Sequence, residues 1–120
     1  VLRTALVRPR EEVTPLVTGA VLDVLERHAP LLRAIVDRVP AQEQAEALEQ
    51  VRARVFDATF HLLALHARER DPARIESAAW LIMQATQHLT VRYVLDAPGV
   101  PREALIDGIE RIVDALVPSA

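Results

Sequence analysis

Hydrophobic and polar residues recur along the chain with the period of an α-helix, and prolines separate the periodic segments. Proline is tolerated in the first turn of a helix and disrupts its interior, and a Thr or Asp before it is typical of an N-cap. The pattern predicts helices at about 14–28, 30–38, 41–69, 72–96 and 101–117. We therefore expect an all-α fold, a bundle of about five helices, with 1–13 as a poorly defined lead-in segment and 14–120 as one domain.

The predicted helix 41–69 is amphipathic, with polar interruptions. Its apolar stripe consists of Leu48, Val51, Val55, Ala58, Leu62 and Leu65, widened by Phe56, Phe60 and Leu63. Thr59 and His66 lie near the centre of this stripe. A buried threonine can donate to the carbonyl of the preceding turn, and a core histidine can be satisfied by a neighbour. Each of the two residues taken singly is therefore compatible with an ordinary core.

The predicted helix 72–96 has no charged residue between Ser77 and Val91, so it is apolar on all sides over that stretch. A helix of this kind must be buried on both sides. Two explanations are open at this point. The helix is central in a large monomer core, or a second copy of the chain covers one of its faces.

The last predicted helix favours the second copy. Its apolar residues recur at spacings of four, three and four, which is typical of helix bundles, and small residues beside them would let another helix approach closely. We predict that two helices from each of two chains form a four-helix dimer interface. The residues predicted to form it are Ala78, Leu81, Ala85, His88, Arg92, Leu105, Gly108, Ile109, Ile112 and Leu116.

Polar side chains on otherwise apolar faces predict a pocket. Thr59, His66, Thr86, Gln87 and Thr90 would each cost about 1–3 kcal/mol if buried without a partner. Together with the aromatic and sulfur-containing residues near them, they are typical of an apolar pocket with a few polar anchors. The residues predicted to bind a ligand are Phe56, Thr59, Phe60, Leu63, His66, Trp80, Met83, Thr86, Gln87 and Thr90.

Composition excludes several classes of function. The net charge is −3, from fourteen arginines and no lysine against seventeen acids, which argues against this segment gripping nucleic acid by itself. There is no cysteine for a disulfide or a thiolate metal site, and His61 and His66 are spaced so that they point apart on a helix. We expect no catalytic residues, no metal and no cofactor. No signal peptide or membrane span is recognisable, so a cytoplasmic protein without a membrane partner is expected.

Two stretches resemble tetracycline-repressor (TetR) family transcriptional regulators. One is Val21–Arg33, and the other runs from Glu76 to Leu95 and continues through Ala97-Pro98 into 103–116. In that family the C-terminal domain is all-helical, dimerises through its last two long helices and holds an effector between the others. The resemblance implies a fold in which 72–96 and 101–117 form a homodimer interface.

The resemblance also implies a ligand and a larger protein. Residues 14–69, with one face of 72–96, would enclose a small hydrophobic or aromatic effector. The N-terminal helix-turn-helix domain of the family is not present in this sequence, so DNA is expected as a partner only through such a domain in a longer parent protein. A purely structural helical dimerisation module without a ligand is the alternative.

Overall fold

The computed structural model describes residues 9–47 and 49–118. In this part of the chain the helices are α1 Arg10–Arg27, α2 Ala29–Arg38, α3 Ala41–Ala47, α4 Glu49–His66, α5 Pro72–Asp96 and α6 Arg102–Leu116. The predicted all-α fold is confirmed. None of the described helices is both long enough and apolar enough to cross a lipid bilayer.

The start of α5 is set by the residues that the sequence marks for it. Asp71 is the N-cap, and its carboxylate accepts a hydrogen bond from the backbone N–H of Ala73 at 3.1 Å. Pro72 occupies the first helical position, where its missing N–H costs nothing. At the other end Ala97 terminates α5 in the left-handed conformation (φ 44°), and the Tyr93 hydroxyl donates to the carbonyl of Val100 at 2.8 Å. The end of α5 and the following residues up to Val100 are thus held in place by the Ala97 cap and by the Tyr93 hydrogen bond.

Helix α1 begins earlier than predicted. The prediction placed its start at Thr14, before Pro15, but the helix begins at Arg10 and Pro15 lies inside it. Pro9 is the N-cap, and two acidic residues, Glu11 and Glu12, occupy the first turn, where negative charge is favourable to the helix dipole. The first helix therefore extends into the segment 1–13 that was expected to be a lead-in. Residues 1–8 of that segment lie outside the described residues.

The segment predicted as one helix over 41–69 is occupied by α3 and α4. Leu48, between these two helices and part of the predicted apolar stripe, lies outside the described residues. Helix α4 ends at His66, before the predicted end at 69. The predicted ends of the last two helices agree with α5 and α6 to within one residue.

The main core is built by α4, α5 and α6. Its buried residues are Leu63, Ala67, Ile75, Ala78, Ala79, Ile82, Ile109, Val113 and Val117. Helices α4 and α5 are joined by the short segment 67–71 and pack side by side, so they run antiparallel. Helix α1 packs against both α5 and α6, and its Leu22 is fully buried. The helices α1, α4, α5 and α6 thus surround a common interior.

One arginine ties α1 to α6. The guanidinium of Arg102 donates to the Asp23 carboxylate at 2.7 Å, to the Glu26 carboxylate at 3.2 Å and to the carbonyl of Gly19 at 3.0 Å. The hydrogen bond to Asp23 is the main cause that raises the pKa of Arg102 above its ordinary value. All three of these hydrogen-bond acceptors lie on the C-terminal half of α1, so that half is held against the start of α6.

Candidate functional site

A cavity of about 340 Å³ lies between α1, α4, α5 and α6. This volume is at the lower end of the range typical of small-molecule sites. Thirteen of its twenty lining residues are aliphatic or methionine. The lining residues are Val13, Thr14, Val17, Thr18, Val21 and Leu25 of α1; Val51, Arg52, Val55, Thr59, Leu62 and Leu63 of α4; Ile82, Met83, Thr86, Gln87, Thr90 and Val91 of α5; and Ile109 and Val113 of α6.

The cavity opens to the surface beside the first turns of α4. Val51 and Val55 line it and are nevertheless 57% and 48% exposed, whereas Leu63, further along α4, is buried. Arg52 lies between these two valines in sequence and also lines the cavity. The mouth is therefore at Val51, Arg52 and Val55, and the closed end is near Leu63 and Ile82.

The polar groups of the lining fall into two sets. The hydroxyls of Thr59 and Thr90 donate to carbonyls of the preceding turn, at 2.8 Å to Val55 and 2.7 Å to Thr86. These two threonines need no ligand. By contrast, four uncharged polar side chains of the lining make no hydrogen bond to any other residue that the structure describes, namely Thr14, Thr18, Thr86 and Gln87. Their donors and acceptors are available to a molecule in the cavity.

Arg52 is the one charged residue of the lining. It is half-buried, and its Nε is enclosed without a hydrogen-bond partner among the described residues. Leaving a buried donor unsatisfied costs on the order of 1–3 kcal/mol, and more when the group is charged. Arg52 Nε and His66 Nε2 are thus the two buried side-chain polar atoms without a partner among the described residues, and Arg52 is the one that lines the cavity.

The cavity gathers six of the ten residues predicted to bind a ligand. These are Thr59, Leu63, Met83, Thr86, Gln87 and Thr90. The other four lie elsewhere. Phe60 packs against the core, and Phe56 and Trp80 lie together in a shallow surface depression with Ser77 and Leu81. His66 is on the same face of α4 as Thr59 but about two turns further on, beyond the closed end of the cavity, and its Nε2 is buried without a partner among the described residues.

The α1 wall of the cavity contributes none of the ten residues predicted to bind a ligand, although the family resemblance implies that residues 14–69 enclose the effector. Thr14, Val17, Thr18, Val21 and Leu25 follow the spacing of one helix face, so the signal was present. It is the same signal that identified Thr59 and Thr86, namely threonine on an apolar stripe. Arg52 gave no such signal, because a lone arginine beside an apolar stripe is indistinguishable from a solvated one until its surroundings are known.

The residues predicted to form a dimer interface differ in burial. Within the single chain Ala78 and Ile109 are already covered by the core, and Ile109 also lines the cavity. Leu105, Ala85 and Gly108 are half-buried, and His88 and Arg92 are exposed. Leu81, Ile112 and Leu116 are exposed large hydrophobic residues, at 45%, 37% and 40%. These three large apolar residues, Leu81 on α5 and Ile112 and Leu116 on α6, define what we call the apolar strip. By the 100° step of a helix, Leu81 lies on the side of α5 opposite to the residues that line the cavity.

Among the described residues, no three His, Asp or Glu side chains lie close enough together to hold a metal ion. The cavity lining contains no carboxylate and no histidine. The chemistry that the lining offers is therefore burial of apolar surface, a few hydrogen bonds and one positive charge.

Comparison with known families identifies this helical arrangement. The family model described as "Tetracyclin repressor-like, C-terminal domain" matches residues 9–116. The chain belongs to this family. Such C-terminal domains are parts of transcription regulators. Neither the curated proteins nor the solved structures gave a match. The resemblance inferred from the sequence is thus confirmed at the level of the family, and the matched residues include every helix that borders the cavity.

Proposed function

We propose that this TetR-like C-terminal domain binds a small hydrophobic effector in the cavity and forms a homodimer, and that the effector changes the geometry of the dimer. The observation that supports the effector is the cavity itself, which is lined mostly by aliphatic side chains. Thr18, Thr86 and Gln87 would supply orienting hydrogen bonds, because their side chains have no partner among the described residues. The effector would lie inside one protomer and touch α1, α4, α5 and α6.

The apolar strip on α5 and α6 supports the homodimer. Leu81, Ile112 and Leu116 are exposed, and a Cβ added at Gly108 would meet no atom within 4 Å in the single chain. Packing within the chain therefore gives no reason for a glycine at this position. A glycine one turn from the exposed Ile112 lets a second helix approach α6 closely, and the same surface on a second copy would provide that helix.

The proposed mechanism is a population shift. Ile109 and Val113 of α6 line the cavity, while Ile112 and Leu116 on the same helix face outward toward the proposed partner. An effector that fits one placement of α6 better than another therefore favours one dimer geometry. In a longer parent protein, that geometry would set the spacing of two DNA-binding domains, which must match half-sites about one helical turn apart for DNA to stay bound.

A nitroxide on α1 tests both the dimer and the shift. The chain has no cysteine, so Glu11→Cys on the exposed surface of α1 gives a single labelling position per protomer. Pulsed electron–electron double resonance should give one distance between the nitroxides of the two protomers. Addition of 1-decanol, used as a simple hydrophobic probe, should move the maximum of this distance distribution by at least about 1–2 Å. An excess of unlabelled chain is the control, because it should abolish the distance.

Three outcomes would contradict parts of the proposal. The absence of any interprotomer distance would argue against the homodimer. A distance that stays the same while decanol binds would argue against the change in geometry, and no binding at all would favour the alternative of a purely structural dimerisation module.

A further inference from the structure

Arg52 stands apart from the other arginines whose side chains the structure describes. Of these, only Arg52 and Arg102 are half-buried, and the rest are exposed. Arg102 is matched by two carboxylates and a carbonyl. Arg52 makes no ion pair or hydrogen bond with a described residue, and its Nε is enclosed. Arg102 thus has carboxylate partners within the fold, whereas Arg52 has none among the described residues.

The surroundings of Arg52 determine which anion would fit. It lies at the mouth of the cavity with Val51 and Val55, and the rest of the lining is chiefly apolar, with residues such as Val17, Leu62 and Met83. A free inorganic anion would leave that apolar space unfilled. A purely apolar molecule would fill the space and leave Arg52 unmatched. A molecule with an apolar tail and an anionic head would satisfy both.

From this arrangement we infer that the effector is an amphiphile with an oxyanion head, whose tail fills the cavity and whose head is held by Arg52 at the mouth. This inference rests on the proposed function, because it names the class of ligand for the same cavity. A carboxylate matches the planar, forked donors of a guanidinium best, since both can form two parallel hydrogen bonds.

The size of the cavity sets the length of the tail. A volume of 340 Å³ holds roughly eleven non-hydrogen atoms, if each with its hydrogens takes about the 30 Å³ of a liquid water molecule. Saturated carboxylates of about eight to ten carbons have this size. Decanoate and 1-decanol are therefore a suitable pair of probes, because they share a ten-carbon chain and differ in the charge of the head.

Calorimetric titration of the 120-residue chain with the two probes at pH 8 tests the inference. Decanoate is fully ionised there, because carboxyl groups titrate near pH 4. We expect decanoate to bind at least tenfold more tightly than decanol. In Arg52→Met the ratio of decanoate affinity to decanol affinity should fall at least tenfold, because only decanoate carries the charge that Arg52 matches. Arg54→Met is the matched control, since Arg54 is exposed on the same helix and does not line the cavity, and both affinities should stay at their original values.

The outcomes separate the inference from the function on which it rests. Equal binding of decanoate and decanol by the unchanged chain would overturn the role of Arg52 and leave a hydrophobic effector site in place. The same conclusion follows if the ratio of decanoate affinity to decanol affinity is the same in Arg52→Met as in the unchanged chain. Failure of both probes to bind the unchanged chain would overturn the inference together with the proposed effector site. The comparison of the two probes on the unchanged chain remains decisive even if the variant folds poorly.

Discussion

Ile109→Glu should abolish the folded state, whereas Ile112→Glu should leave the chain folded but monomeric. The two isoleucines are three positions apart on α6 and receive the same substitution. Ile109 is 2% exposed and packed in the core, whereas Ile112 is 37% exposed. Losing the buried Ile109 side chain alone would lower the free energy of unfolding by about 2–5 kcal/mol. Burying an unpaired carboxylate in its place would lower it further, because the charge loses its hydration. A domain of this size has a total stability of only about 5–15 kcal/mol.

Circular dichroism and sedimentation velocity distinguish the two effects. For Ile109→Glu we expect the loss of a cooperative thermal transition. For Ile112→Glu we expect a retained helical spectrum and the mass of one chain at concentrations where the unchanged chain has the mass of two. Leu31→Glu is the control, because Leu31 is 60% exposed on α2, a helix that carries no residue of the apolar strip, and the variant should stay dimeric. An Ile112→Glu variant that still dimerises like the original would refute the interface.

Thr86→Phe should block the cavity without harming the fold. The Thr86 side chain lines the cavity and makes no hydrogen bond to a described residue, so its removal leaves no described partner unsatisfied. The phenyl ring would occupy part of the space that is open to a ligand. We expect thermal stability to be unchanged or slightly raised, because filling an apolar cavity recovers packing. The affinity for decanol should fall by at least 100-fold.

Thermal unfolding with and without ligand measures this effect. Decanol at 100 times its dissociation constant stabilises a binding protein by about 2.7 kcal/mol, which for a domain of this length is a rise of about 10 °C in the midpoint. Thr86→Phe should show almost none of this rise. The control is Leu65→Phe, which places the same ring at a residue that is 58% exposed and does not line the cavity, and it should keep the full rise. A full rise in Thr86→Phe would mean that decanol binds elsewhere.

The start of α5 is predicted well because side-chain chemistry marks it. Asp71 before Pro72 is an N-cap with its hydrogen bond formed, and the start of α5 is where the sequence indicates. The same reasoning fails at Thr14 and Pro15, because the helix begins at Arg10 and continues through Pro15. A proline inside a helix removes one backbone hydrogen bond, and the packing of the helix can compensate for that loss. The alternative start was visible in Pro9 followed by two acids.

The candidate site shows a different limit of sequence reasoning. Helical periodicity tells which face of a helix a side chain is on, but it does not tell which part of that face borders the cavity. His66 has the correct direction and lies past the end of the cavity, and Trp80, on the helix that is apolar all round, is 53% exposed. The unmatched state of Arg52 depends on which helices come together, so it required the tertiary structure.

The central claim is that a hydrophobic molecule occupies the space between α1, α4, α5 and α6, and methyl NMR tests it most directly. With the methyl groups of Val, Leu and Ile labelled, we expect nuclear Overhauser effects between bound decanol and the methyls of Val17, Leu62 and Ile82, each from a different wall of the cavity. The methyls of Leu31 and Leu65, outside the cavity, should show none. Effects confined to Leu81 and Leu116 on the exposed strip, or no effects at all, would contradict the account.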